Sequence, residues 1–476
     1  MLKEECGIFG IYGISEAARY VYLGLNFLQH RGQESCGIVS TNGKSLYKQV
    51  GLGKVTDFFD EEKLSYLEGF KAIGHVRYST TGSPTLVNAQ PITGMTSKGA
   101  IAISHNGNIT NAARIREDLL KKGVVFNSTS DSEIILHLIA EAPSSDLVQS
   151  CKWAFSKLEG AYSVLVLSKD MLIAVRDPLG FRPLSMGQLG MTLPEMVHTI
   201  VFSSEDSAFS IIEATKIRDV EPNEMVVISE KGLESHNITD RKIQKKQCIF
   251  ELIYFAKPSS VVFNSLVYDF RFKIGERLAE EYKIDADFVV PVPDSGIVAA
   301  LGYSQASGIP LAMGLIRSHY IGRTFIEPSQ KIRDFGVKMK FIPVRKIIEG
   351  KKIILIDDSI VRGTTSKKIV KMIRSNNPRE VHFLVASPPV KNPCYYGIDF
   401  STRDELLANK LSSYSEIAEF IGADSVGYVS IEGMFKATGL NKNDFCKACF
   451  DGIYPTRIEN VKKEGFEGEI KQLHIR

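Results

Sequence analysis

The sequence predicts an α/β chain of two units, each built on its own sheet system. Three observations lead there. The chain has 476 residues, enough for two or three domains. Its second half alternates apolar β-forming runs with helical ones, the pattern of a parallel sheet. Its first half instead repeats short strands that each enter a polar, glycine-bearing turn. Between the halves lies DRKIQKKQ (240–247), a basic polar connector that reads as a solvated face.

Composition narrows the function classes. Hydrophobic residues make up 44% and charged residues 24%, the balance of an ordinary soluble globular protein. The net charge of +3 gives no bulk electrostatic case for a nucleic-acid or membrane partner. The N-terminal MLKEECGIFGIYG lacks the apolar core of a signal peptide. No apolar run approaches the roughly 20 residues of a membrane span. The expected location is the cytoplasm. Seven cysteines in so long a chain do not suggest a disulfide scaffold.

The first half opens on CGIFGIYG (6–13), alternating apolar and small residues. An amphipathic helix follows over 17–29, with Val21, Leu23, Leu25 and Leu28 among its apolar positions. It ends in QHRGQESCGI (29–38). AIGHVRYSTTGSP (72–84) repeats this grammar. So does AIAISHNGNITN (100–111), read as a strand over 100–104 running into a turn at Asn106-Gly107. Turns of this kind expose backbone N–H groups and can act as anion holes. Residues 160–167 and 172–175 read as strands. The unit is expected to end near Ser235 with one last strand, MVVISEKGL.

The second half is expected to carry a helix in YDFRFKIGERLAEEY, with Phe270, Ile274 and Leu278 at spacing four. A strand over 288–292 then enters PDSG (293–296), a helix follows in IVAALGYSQASG, and PLAMGLI (310–316) reads as a further strand. The most informative run is KKIILIDDSIVRGTTS (351–366). Its four apolar β-formers, 353–356, make a buried strand with Asp357 and Asp358 at its C-terminal end. Gly363 and three hydroxyls, Thr364, Thr365 and Ser366, then feed a helix whose Ile369, Met372 and Ile373 share one face. A strand, such a loop and a helix N-terminus make a phosphate cradle. Adjacent carboxylates beside it suit ribose hydroxyls and a hydrated Mg2+.

Two resemblances extend this reading. CGIFGIYG, QHRGQESCG, GHVRYSTTGSP, SHNGNITN and STSDSEI (128–134) together resemble, in order, the glutaminase domain of N-terminal-nucleophile amidotransferases, an αββα sandwich. The resemblance implies Cys6 as the nucleophile, activated by its own α-amine, and removal of residues 1–5 as a propeptide. It implies oxyanion donors at Asn106 and Gly107. It places glutamine against Arg77 (α-carboxylate) and Asp131 (α-ammonium), with Arg31 supporting the closed glutamine loop. RDPLGFRPLS and VFSSED are also familiar from this family and receive no catalytic role.

KKIILIDDSIVRGTTS resembles the PRPP-binding loop of type I phosphoribosyltransferases. By that resemblance Arg362, Gly363, Thr364, Thr365 and Ser366 hold the 5-phosphate. Asp357 and Asp358 address the ribose hydroxyls and Mg2+, and Ser359 belongs to the same PRPP-binding set. Asp294, Ser295 and Gly296 form the pyrophosphate turn, with Ser295 a further metal contact. The stretch 317–341 matches a catalytic loop in which Arg323 and Lys331 neutralise pyrophosphate. Two places depart from the pattern: Arg317-Ser318-His319-Tyr320, where Lys-x-Arg-Tyr is usual, and Lys257 and Ser259, where Arg and Asp are usual. Both bear on PRPP affinity and its nucleotide control.

Cys446 and Cys449 form a C-x-x-C, compatible alone with zinc, a redox pair or nothing. With Cys248 and Cys394 they make four thiolates, which by count suit zinc or [4Fe–4S] equally. Their contexts resemble the iron–sulfur-bearing branch of the glutamine PRPP amidotransferase family, which favours [4Fe–4S] in a structural role. The layout expected is thus a propeptide (1–5), a glutaminase domain (6–235), a phosphoribosyltransferase domain (236–455) and a tail (456–476). The resemblance implies glutamine and PRPP as substrates, Mg2+ and [4Fe–4S] as cofactors, inhibitory purine nucleotides, and a homo-oligomer, tetramer or dimer. Two rivals follow from parts of the pattern: an amidotransferase acting on another acceptor, and a non-enzymatic PRPP- or nucleotide-sensing homologue.

Overall fold

A computed structural model describes residues 6–78, 85–190, 199–241, 243–318, 340–400 and 402–458. The first unit stacks two antiparallel sheets. One has seven strands and is centred on Gly7–Tyr12, flanked by Lys71–Arg77 and Thr199–Ser203. The other has six, with Leu172–Arg176 and Gly160–Ser168 at its centre and Gly99–Ile109 beside the latter. Ile8, Ile73, Leu165, Leu172 and Phe202 fill the space between the sheets. The outer face of the first sheet is covered by the helix Ala17–Phe27 through Val21 and Leu25. That of the second is covered by Ser132–Glu141 and Leu147–Phe155. The order helix, sheet, sheet, helix is the expected αββα sandwich.

Three sequence expectations are corrected here. The strand over 100–104 does not turn at Asn106-Gly107; it runs on to Ile109, with Asn106 opposite Ser163 and Gly107 opposite Tyr162. Gly107 has φ +148°, and an added Cβ would lie 2.0 Å from the Ala161 carbonyl oxygen. Glycine lets the strand bend without ending. The final segment is a hairpin, not one strand: Glu224–Ser229 pairs with Gly232–Asn237. Ile238 belongs to the same apolar core as the second sheet's outer face.

The second unit contains a four-stranded sheet, ordered Phe288–Pro291, Lys352–Asp357, Glu380–Val385 and Ser425–Tyr428, every pair parallel. Residues 353–356 are apolar without alternation because both faces are buried. Ile353 and Leu355 face one core, Ile354 and Ile356 the other. The third correction concerns PLAMGLI. Only Leu311, bridging to Val289, and Leu315–Arg317 take extended pairing. Parallel alignment sets Pro291 opposite Ile356, so the 293–296 turn and the 357–363 loop leave neighbouring strands on the same side. No helix among the described residues is long and apolar enough to cross a membrane.

Candidate functional site

A cleft of about 380 Å3 opens at the C-terminal end of the parallel sheet, where ligands of such sheets gather. Asp294 and Ser295 line one side; Asp357 through Ser366 line another. The Ser295 hydroxyl donates to Oδ1 of Asp358 at 2.6 Å, and the Asp358 amide donates to Asp357 Oδ1 at 2.9 Å. Both carboxylates are buried. Burial, then the neighbouring charge of Asp358, pushes Asp357 well above the usual carboxylate range. Such a pair calls for a cation or a proton. Gly363, at φ +72°, caps the helix Thr364–Arg374. Its Cβ position lies 2.6 Å from the Leu407 side chain, so the loop closes tightly over the helix N-terminus. The amides of Thr364, Thr365 and Ser366 fall in the first turn, where intrahelical partners are lacking.

Arg317 reaches this cleft and pairs with Asp294. Lys257 also lines it, with its ammonium donating to the Phe27 carbonyl at 2.8 Å. Ser259 is exposed and is not among the lining residues. Arg362, also in the cleft lining, donates to the Glu405 carboxylate at 3.1 Å. Arg323, Lys331, His319 and Tyr320 lie outside the described residues, as does the segment 1–5.

The expected nucleophile lies in the first unit. Cys6 donates its thiol to the Tyr78 carbonyl at 3.4 Å. Burial pushes that thiol up to about 11, so it needs a base to react near neutrality. Asn106 is buried, its amide 3.5 Å from the Ser204 hydroxyl; Ser204 itself bonds to both backbone groups of Ile8. Asp131 stands beside the same strand and accepts from the Ile109 amide at 3.0 Å. His105 Nδ1 meets the Ser132 hydroxyl at 2.9 Å. Arg77 is buried at the end of Lys71–Arg77. Cys6, Arg77, Asn106, Gly107 and Asp131 thus come from one end of the two facing sheets.

Arg31 is placed differently. Its guanidinium is buried and donates to the Cys6 carbonyl (3.1 Å), to Glu205 (2.7 Å) and to Glu251 (2.8 and 3.0 Å). It also borders the cleft of the second unit, together with His30 and Gln33. One side chain therefore touches the backbone of Cys6 and the wall of the cleft in the second unit.

Comparison with known proteins follows this two-site plan. A glutamine amidotransferase domain model matches residues 75–210, and a phosphoribosyl transferase domain model matches residues 267–397. Amidophosphoribosyltransferase 1, chloroplastic, of Arabidopsis thaliana is 49% identical over 461 residues, covering 97% of this chain and 80% of the plant protein. The amidophosphoribosyltransferase of Bacillus subtilis is 44% identical over 462 residues, covering 96% and 95%. The chain belongs to the amidophosphoribosyltransferase family. A solved structure of the Bacillus subtilis glutamine PRPP amidotransferase, complexed with ADP and GMP, superposes with a TM-score of 0.88 at 43% identity, covering 96% of this chain and 98% of that one.

In this chain the four cysteines 248, 394, 446 and 449 converge. Gln247–Cys248 pairs in parallel with Phe445–Cys446, setting Cys248 opposite Cys446. Burial raises the Cys446 thiol to about 12. Burial and the charges of Cys446, Cys248 and Cys394 raise Cys449 well above its usual range. The Tyr396 amide donates to the Cys394 sulfur at 3.3 Å. Among the described residues no group of three or more His, Cys, Asp or Glu side chains is set to hold a metal ion. A single zinc draws its sulfurs to about 2.3 Å from one atom, whereas a four-iron cluster spreads four thiolates around its corners. By count, four thiols around one largely buried point suit either group.

Some residues of the site carry no motif. Arg271 lines the cleft, buried, donating to the carbonyls of Leu252 (3.0 Å) and Ala256 (2.8 Å). Burial lowers it to about 10, against the attraction of Asp358. A signal existed: Arg271 falls on the stripe of Val267, Phe270, Ile274 and Leu278, the buried face of its helix. Glu205 and Glu251 had no such signal, because their partners are remote in sequence.

Proposed function

We propose that this chain runs two half-reactions, glutamine hydrolysis at Cys6 and ribosylamine synthesis at the 357–366 loop. Together they convert PRPP, glutamine and water into 5-phosphoribosylamine, glutamate and pyrophosphate, the first committed step of purine synthesis. The observation that carries the reading is the cleft itself, since its wall includes His30, Arg31 and Gln33 of the glutaminase unit.

Cys6 attacks the glutamine amide after its α-amine, freed by removal of residues 1–5, takes the thiol proton. The Asn106 amide and the Gly107 N–H receive the negative oxygen. Arg77 holds the substrate carboxylate and Asp131 its ammonium, while Arg31 steadies the Cys6 backbone. Ammonia leaves, and water releases glutamate from the thioester. In the second site, the 362–366 loop takes the 5-phosphate, and Asp357 and Asp358 take the ribose hydroxyls. Asp294, Ser295 and Gly296 cradle pyrophosphate, with Arg323 and Lys331 neutralising it. The nitrogen of ammonia bonds to ribose C1 as the C1–O bond to pyrophosphate breaks; the new amine sheds one proton. Ammonia must arrive unprotonated, because ammonium has no lone pair to offer.

Asp357, Asp358 and Ser295 would hold Mg2+, which supplies charge neutralisation for the leaving pyrophosphate. Cys248, Cys394, Cys446 and Cys449 would hold a [4Fe–4S] cluster, which supplies a structural tie between the start and end of the second unit. Purine nucleotides are proposed as inhibitors, supported by ADP and GMP in the Bacillus subtilis complex. A homo-oligomer, tetramer or dimer, is proposed by family likeness.

The test is a coupled assay on purified protein, reading glutamate and pyrophosphate together. PRPP-dependent glutamate release with matching pyrophosphate is expected. Glutamine hydrolysis without PRPP consumption would favour another acceptor, and neither reaction in processed protein would favour a sensor.

A further inference from the structure

RDPLGFRPLS (176–185) and VFSSED (201–206) take no part in the chemistry above, yet both end in one buried polar knot. Glu205 has no exposed surface. Its Oε1 accepts from His30 Nε2 and from Arg31, each at 2.7 Å. Its Oε2 accepts from the Lys257 amide at 2.9 Å and the Ser260 hydroxyl at 2.7 Å. Two donors thus belong to the glutaminase unit and two to the transferase unit. Burial opposes the charged form, but His30, Arg31 and the Lys257 amide outweigh it and hold the carboxylate well below its usual range. Arg182 completes the knot, donating to Glu251 at 3.4 Å and to the Tyr396 carbonyl at 3.1 Å.

The geometry points to Glu205 as a positioning residue that ties the wall of the transferase cleft to the backbone of Cys6. The connection is short. Lys257, His30 and Arg31 all line the cleft; each bonds to Glu205, and Arg31 alone goes on to the Cys6 carbonyl. A buried carboxylate with four donors cannot release one of them without a substantial cost. A ligand that shifts the 257–260 segment therefore moves Glu205, Arg31 and Cys6 together. In this way occupation of the cleft by a phosphorylated ribose sets the glutaminase site for hydrolysis. The inference rests on the two-reaction reading proposed above.

The test compares wild type, Glu205→Gln and Ser260→Ala. Initial rates of glutamate release are measured with glutamine, with and without PRPP. Pyrophosphate release is measured with ammonium chloride replacing glutamine. In Glu205→Gln the enhancement of glutamate release by PRPP falls at least fivefold, while ammonia-driven pyrophosphate release stays within twofold of wild type. Ser260→Ala gives a smaller loss of the same kind. Unchanged enhancement in both variants overturns the proposal. So does a proportional fall of all activities with a fallen Tm, the mark of a merely structural residue. If Glu205→Gln does not fold, Ser260→Ala decides alone, and unchanged enhancement in it overturns the proposal. A wild-type chain that never consumes PRPP overturns the two-reaction reading, and this inference with it.

Discussion

Asn108 donates its side-chain amide to the carbonyl of Tyr395 at 2.9 Å. The bond joins the strand of the proposed oxyanion donors to the loop that carries Cys394. Gly397, two residues on, packs against the Gly107 backbone, where its Cβ position lies 3.4 Å from Gly107 Cα. The cysteine loop thus buttresses the Gly99–Ile109 strand directly. Asn108→Ala leaves that carbonyl short of a donor, at about 1–3 kcal/mol. Glutamine-dependent kcat should fall roughly 5- to 50-fold, with ammonia-dependent synthesis little changed. Steady-state kinetics with the two nitrogen donors check this.

The Cys6 thiol, pushed up to about 11 by burial, should stay protonated at neutral pH in a chain that keeps its first five residues. Processed protein should instead show alkylation that rises with the α-amine, around pH 7.7–8.0. Iodoacetamide rates against pH on both forms, with intact mass to identify each, make the comparison. A common midpoint near 11 would show that the amine plays no part.

Asp357 has a folded pKa raised above its unfolded value. What it contributes to stability is complete below the unfolded value of 3.8 and is lost as pH rises through the raised one. At neutral pH without a cation it is therefore a cost. Asp357→Asn should raise Tm at pH 7.5, by about 2–4 °C for each kcal/mol relieved, and abolish pyrophosphate release. Mg2+ should raise the Tm of wild type and not of the variant. Thermal melts with and without Mg2+ decide it.

Glu205 behaves oppositely, since its folded pKa is depressed. Its contribution is present above the unfolded value of 4.5 and is lost as pH falls below it. Between neutrality and pH 4.5, Glu205→Gln should be the less stable protein. Below pH 4.5 the difference should shrink as wild type loses what the variant already lacks. Urea midpoints at several pH values measure this.

Gly107→Ala should be severe. The added Cβ meets the Ala161 carbonyl oxygen at 2.0 Å, in a backbone conformation that L residues rarely adopt. A cost of about 3 kcal/mol or more and loss of glutaminase activity are expected, read by urea unfolding and glutamate release.

What the sequence made legible was what is local. The 351–366 run encodes its strand, loop and helix in consecutive residues, and the fold reproduces them in order. Asn106-Gly107 misled because Asn-Gly is a strong turn signal, while the long pairing with Gly160–Ser168 overrides it. PLAMGLI misled because an apolar run says nothing about whether a neighbour is free to pair. Glu205 was beyond reach for a different reason. Its donors come from residues 30, 31, 257 and 260, and only the docking of two units brings them together.

The parallel pairing of Cys248 with Cys446 has a consequence for the newborn chain. The two residues are about 200 apart, and the ribosome adds roughly 5–20 residues per second, so Cys248 waits on the order of 10–40 s for its partner. Through that interval the glutaminase sandwich is already complete in sequence, while the first strand of its neighbour lacks its mate. The thiol at 248, joined towards the end of the interval by that at 394, is meanwhile open to reaction or to a chaperone.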